Sequence, residues 1–257
     1  MKKISLLLVL IFVFSVTLAA CSSDTATEAP QEPQPTAVAN VPEKPTTDEG
    51  AAAEEPAAPP EVEVDSSQGL FDTAAMLENL GAYVLRPEDL PNAYKIMADG
   101  EQHINNLKVI NTVGEVEGKR YIAASTRVDG WSLELQRVNK EELIPYTLYS
   151  QIEVFETPEG AQTAFSADWL PVYNLEEGAV QPSFLECSFG DACVMYYYEK
   201  LDPATEITTL QYEIVFVYNN VLAQVMARGA DYDMNPDFVV NAAQILFDKI
   251  SAAPMVE

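Results

Sequence analysis

His103 is the only histidine among 257 residues, and histidine is the side chain best suited to general acid–base work near neutral pH. A Ser–His hydrolase would also need a nucleophile elbow of the form Gly-x-Ser-x-Gly, which the chain lacks. Zinc hydrolases usually draw on several His or Cys ligands. His103 therefore reads as a surface residue on a helix. Asp231-Tyr232-Asp233-Met234-Asn235-Pro236-Asp237 has the oxygen-rich alternation of a calcium loop. An EF-hand wants Gly at the sixth place and Glu at the twelfth, where this chain has Pro236 and Ala242. Carboxylates meeting a helix N-terminus give the same pattern. Glu153, Glu156 and Glu159 offer acid pairs of the kind glycosidases use, but a chain with 40 acidic residues presents such pairs by chance. Tyr196-Tyr197-Tyr198 puts aromatic rings on both faces of one strand. Stacked Tyr can hold a sugar or a peptide, yet alternation sends at least one of the three inward to pack. No catalytic residue, metal ligand or cofactor is assigned.

The three cysteines carry more definite chemistry. Lys2 and Lys3 precede an apolar run from Ile4 to Leu18, too short for the ~20 residues of a membrane-spanning helix and suited to a signal peptide. The run closes in Leu18-Ala19-Ala20-Cys21, followed by Ser22-Ser23-Asp24. This arrangement resembles the bacterial lipobox, which implies cleavage before Cys21 and acylation of its thiol. One acyl chain holds a protein weakly, and stable anchoring takes at least two. The expected location is the extracytoplasmic face of the cell membrane, with the lipid on Cys21 as the anchor. Cys187 and Cys193 then remain as a pair in a compartment that permits oxidation. They flank Ser-Phe-Gly-Asp-Ala, so opposed hairpin strands would bring them within disulfide reach. A redox-active pair and two reduced core thiols are the competing readings.

Composition divides the chain into a signal peptide at 1–20, a tether at 21–68 and a domain at 69–257. Ser22 to Gln68 contains no aromatic residue and no Leu, Ile or Met, and has eleven acids against Lys44 alone. Such a segment cannot bury enough apolar surface to offset the entropy of ordering, and its prolines and like charges favour extension. The remaining residues are rich in Val, Leu, Ile, Tyr and Phe, enough for one domain with its own core. The domain carries a net charge of −18. That excludes the basic surface nucleic-acid binding needs, and argues against hugging anionic lipid head groups.

The elements that must position these residues follow from pattern. Asp72-Thr73 opens a short capped helix ending near Gly81. Ile104, Leu107, Val109 and Ile110 lie close to helical spacing within Glu101 to Val113, and GEVEGKRYIAAS fits either a second helix or a strand, with the helix favoured. Trp131, Leu133 and Leu135 alternate with Ser132, Glu134 and Gln136, the sign of a strand buried on one face. Tyr146 to Phe155 is a longer strand. Thr157 caps a helix with Pro158 at its first position. FLEC and CVMYYYEK form a hairpin, as do ITTLQYEIVFVY and VLAQVMARG around Asn219-Asn220. Asn235-Pro236 caps a last helix with Phe238, Val239, Ala242, Ile245 and Leu246 on one face. Strands joined by hairpins, with helices set apart from them, predict an α+β domain with an antiparallel sheet packed by helices.

The pieces LRPEDLPNAY, TRVDGWSLELQR, IEVFETPEGAQTAF, FGDACVMYYYE and VFVYNNVLAQVMARG resemble a group of exported bacterial lipoprotein domains over about Leu85 to Ile250. The layout is similar to the PsbP/LpqN-type α-β-α sandwich and, more loosely, to the PknH-like extracellular sensor domain. The single cysteine pair departs from the PknH-like domain, which carries more disulfides. The resemblance implies a fold and supplies no catalytic residue. The expected function is a non-catalytic binding or adaptor domain, with an envelope protein, peptide, lipid or glycan as ligand. The rival is a cell-envelope hydrolase using carboxylate or Tyr chemistry.

Overall fold

The computed structural model describes residues 70–256 apart from 92–93, 140–142 and 176–178. The signal segment, Cys21 and the tether lie outside the described residues. The domain is α+β. Seven strands form one antiparallel sheet in the order β1-β2-β3-β7-β6-β5-β4: β1 Tyr94–His103, β2 Arg127–Arg137, β3 Thr147–Phe155, β4 Ser183–Leu185, β5 Ala192–Asp202, β6 Ile207–Tyr218 and β7 Val221–Ala230. Among the described residues five α-helices accompany them: α1 Thr73–Glu78, α2 Asn106–Val113, α3 Glu115–Ser125, α4 Pro158–Phe165 and α5 Pro236–Ser251.

Alternation along the strands builds two cores. On one face Leu133, Leu135, Ile152, Ile214, Phe216, Ala223 and Val225 meet α5 through Val239, Ala242, Ala243, Leu246 and Ile250, and meet Met76, Leu80 and Leu85 of the N-terminal segment. On the other face Val194, Val215 and Val217 meet Ala161, Ala164 and Phe165 of α4, with Leu170 and Val172. Burying a Leu, Ile or Phe side chain contributes about 1.5–3 kcal/mol, so these two layers supply most of the drive to fold. Helices on both faces make the sandwich expected from the sequence.

Caps act where their residue types imply. Asp72 Oδ1 accepts from the Ala75 N–H at 3.1 Å, Thr157 Oγ1 from Gly160 at 3.1 Å and Asn235 Oδ1 from Asp237 at 2.9 Å. The α2–α3 break falls at Gly114, whose φ of +98° suits a residue without Cβ. The region before α2 differs from the sequence reading. Residues 94–103 form edge strand β1, and helix begins only at Asn106. Within β1 only Tyr94 and Gly100 are buried, and the pairing with β2 shifts between Ile96 and Glu101. Of the helix read over Glu101 to Val113, the first three residues belong to β1, and a bulged edge strand gives no period-two signal to mark it.

The loop joining β4 to β5 is held at several points. Continuing the register of Leu185 with Met195 sets Cys187 opposite Cys193, and their Cα atoms are 5.6 Å apart, within disulfide reach. Phe189 packs between Phe216 and Phe247. Gly190 has φ +59°, and a Cβ there would sit 2.1 Å from the Val217 carbonyl oxygen. The Asp191 carboxylate accepts from Asn219 N–H at 2.6 Å in the β6–β7 turn. Because the loop is pinned independently of sulfur, reduction of an oxidised pair is expected to cost about 2–2.5 kcal/mol, the loop-entropy value for so short a ring, and not to unfold the domain. Intact mass with and without reductant before alkylation, paired with urea unfolding, checks this. Two alkylatable thiols in unreduced protein from its natural envelope would show that the pair is not bonded.

Candidate functional site

The second core covers only one half of its sheet face. Beyond Val215 and Val217 the inward-pointing positions turn polar, and the register sets them in rows. One row runs Glu134, Tyr149, Met226, Glu213, Tyr196 and Phe184, across six strands from β2 to β4. Strand spacing makes it about 24 Å wide. Beside it lie Ser132, Gln151 and Gln224 on the α4 side, and Gln136, Thr147, Arg228, Gln211 and Tyr198 on the other. Tyr196 is buried, Arg228 is exposed, and Glu134, Tyr149, Gln151, Tyr198, Gln211, Glu213 and Gln224 are half-buried.

These groups are tied to one another. The Tyr149 hydroxyl donates to Gln151 Oε1, and Gln151 Nε2 donates to Glu153 at 2.9 Å. Gln224 Nε2 donates to Glu213, which also takes hydrogen bonds from Tyr196 and Gln211. Burial raises Glu134 and Glu213 above the ordinary carboxylate range and pushes Tyr198 up to about 12, so this half-face is not a freely solvated surface. The Tyr173 and Phe184 rings stack at 6.0 Å and 17°, an aromatic wall where β4 meets β5.

The sign of the Glu213 effect is testable. A carboxyl raised in the folded state favours its neutral form there. Its contribution is present below the unfolded-state pKa and lost as pH rises through the folded one. Glu213→Gln stays neutral, so its melting temperature relative to the unsubstituted protein should climb between pH 4 and pH 8. A flat or falling difference would contradict the buried-acid assignment.

A cleft of about 260 Å³ lies on the opposite face at the β1–β2 end, lined by His103, Asp129, Trp131, Arg86, Gly81 and the 77–80 segment. His103 is not on a helix: it ends β1, opposite Trp131. Its Nε2 is 2.7 Å from Asp129 Oδ2, and its ring stacks on Trp131 at 5.2 Å. Arg86 Nη2 donates to Glu101 at 2.6 Å. The lining residues of this cleft include no Ser, Thr, Cys or Lys to act as nucleophile.

The acid clusters singled out in the sequence separate. Glu153 is buried against Arg127, while Glu156 and Glu159 are exposed. Asp233 is buried and paired with Arg137 at 3.0 Å. Asp237 lies in the first turn of α5. Glu134 and Glu213 stand three strand spacings apart, about 14 Å at the backbone, with Tyr149 and Met226 between them in the row. Tyr197 turns to the first face and stacks on Tyr212 at 5.1 Å, whereas Tyr196 and Tyr198 belong to the polar half-face. The rows themselves escaped sequence reading. The alternation of Ser132, Glu134 and Gln136 marked one strand, but only register sets it beside Tyr149 and Glu213.

No family model and no curated protein matches the chain. Among solved structures, the extracellular domain of PknH from Mycobacterium tuberculosis is similar, with a TM-score of 0.36 and 16% identity. The match covers 72% of this chain and 98% of that one. A likeness this loose assigns neither fold detail nor function. Neither a family model nor a curated sequence ties the chain to the PsbP/LpqN group.

Proposed function

We propose that this chain is a lipid-anchored binding domain on the extracytoplasmic face of the cell membrane. In this reading Cys21 carries the lipid, residues 21–68 lift the domain away from the bilayer, and residues 69–257 hold a ligand without transforming it. The PsbP/LpqN-like layout is part of the same reading and rests on the motifs quoted above. The observation that carries it is the polar half-face. Its carboxylates, carboxamides and phenols converge on one stretch of sheet, next to an apolar half that α4 covers. Ligand sites combine such convergent polar groups with apolar walls. The Tyr173–Phe184 stack supplies the wall. Carboxylates standing singly favour holding over acid–base cleavage.

The test places a benzophenone amino acid at Met226, half-buried in the middle of the row, and irradiates intact cells. An adduct is expected at this position, and none from the same probe at Gln244, exposed on α5. Equal labelling at both positions, or none at 226, would overturn the site.

A further inference from the structure

We infer that the ligand of the polar half-face is a neutral saccharide chain, an inference that rests on that face being the binding site. Three features select this chemistry. First, the face offers donors and acceptors together. Tyr149, Gln151, Gln211, Gln224 and Glu213 are bonded to one another across the face, and Tyr198 adds a hydroxyl at their edge. A sugar ring with hydroxyls around its rim is complementary to this mixture.

Second, the face has rings placed to meet the C–H side of a pyranose. Phe184 is 39% exposed and stacked on Tyr173, and Tyr198 is half-buried on the same face with its ring 5.6 Å from Tyr196. Tyr presents an apolar body with a polar tip, which suits a ligand with one apolar face and a hydroxylated edge. Third, the charges disfavour an anion. Glu134 and Glu213 project onto this face. The guanidinium of Arg127 is held by Glu153, and Arg228 stands exposed at the margin. A row about 24 Å wide accommodates a chain of several rings rather than one.

The experiment uses the full lipidated chain in a sugar-free detergent and titrates five probes by calorimetry. Chitotetraose, cellotetraose and maltotetraose are the neutral probes. Tetragalacturonate is the anionic probe and tetra-lysine the cationic one. At least one neutral tetraose should bind tenfold or more tightly than either charged probe. Tyr198→Ala and Phe184→Ala should each weaken it at least tenfold with melting temperature held, and Gln244→Ala should leave it unchanged. If no neutral tetraose binds, or if both face variants bind it normally, the inference fails. Preference for tetra-lysine would also overturn it. A Met226 adduct in cells without saccharide binding would refute the ligand class and leave the site standing; loss of the adduct would remove the site itself.

Discussion

Arg127→Ala is expected to lower the stability of the folded domain by about 3–5 kcal/mol, the cost of stranding one member of a buried ion pair. The Arg127 side chain is wholly buried and that of Glu153 is 9% exposed, with Nε to Oε2 at 2.9 Å. The same guanidinium donates to Asn106 Oδ1 at 2.7 Å and to the Ile104 carbonyl at 2.6 Å. It therefore ties the β1–α2 connection to β2 and β3. The Tyr121 hydroxyl donates to Glu153 from α3 at 2.6 Å. Gly130 leaves the guanidinium its space, since a Cβ there would lie 2.5 Å from Arg127 Nη2. Glu153→Ala should cost a comparable amount by stranding the arginine. The double variant Arg127→Met, Glu153→Leu should recover much of the loss, because removing both charges leaves neither uncompensated. Urea unfolding of the four proteins measures this. A loss below about 1 kcal/mol for Arg127→Ala would place the pair among weak surface bridges.

Cys21→Ala is expected to move nearly all of the protein from the membrane fraction to soluble material. Membrane affinity from lipid scales at about 0.8 kcal/mol per buried methylene, so in the proposed lipid-anchored form losing the Cys21 thiol removes the whole anchor. Among the described residues no helix is long and apolar enough to cross a membrane and substitute for it. Fractionation of the two proteins, with mass spectrometry of the N-terminal peptide, decides the point. Identical fractionation would sink the lipid anchor.

Strands that alternate cleanly were legible without coordinates. Trp131 to Leu135 buries one face of a central strand, so burial writes period two into the sequence, while the pair around Asn219-Asn220 shows as continuous apolar runs joined by a two-residue turn. The caps Asp72, Thr157 and Asn235 were legible for a local reason: the side chain bonds a backbone N–H two or three residues on. Edge strand β1 was not, because little of it is buried and its bulge breaks the register. The His103–Asp129–Trp131 grouping was equally hidden. His103 and Asp129 are 26 residues apart and meet only through the pairing of β1 with β2.

By itself the sequence determined the features that local chemistry writes: the α+β class and the helix caps. Each rests on residues near one another in the chain, where composition and periodicity suffice. Tertiary structure alone decided which acids are paired and which stand on the polar half-face. Strand order places β7 between β3 and β6, so Tyr149 and Glu213, 64 positions apart, share one row, while Arg127 takes Glu153 out of reach. Long-range register and burial set those neighbours, and neither has a local trace in the chain.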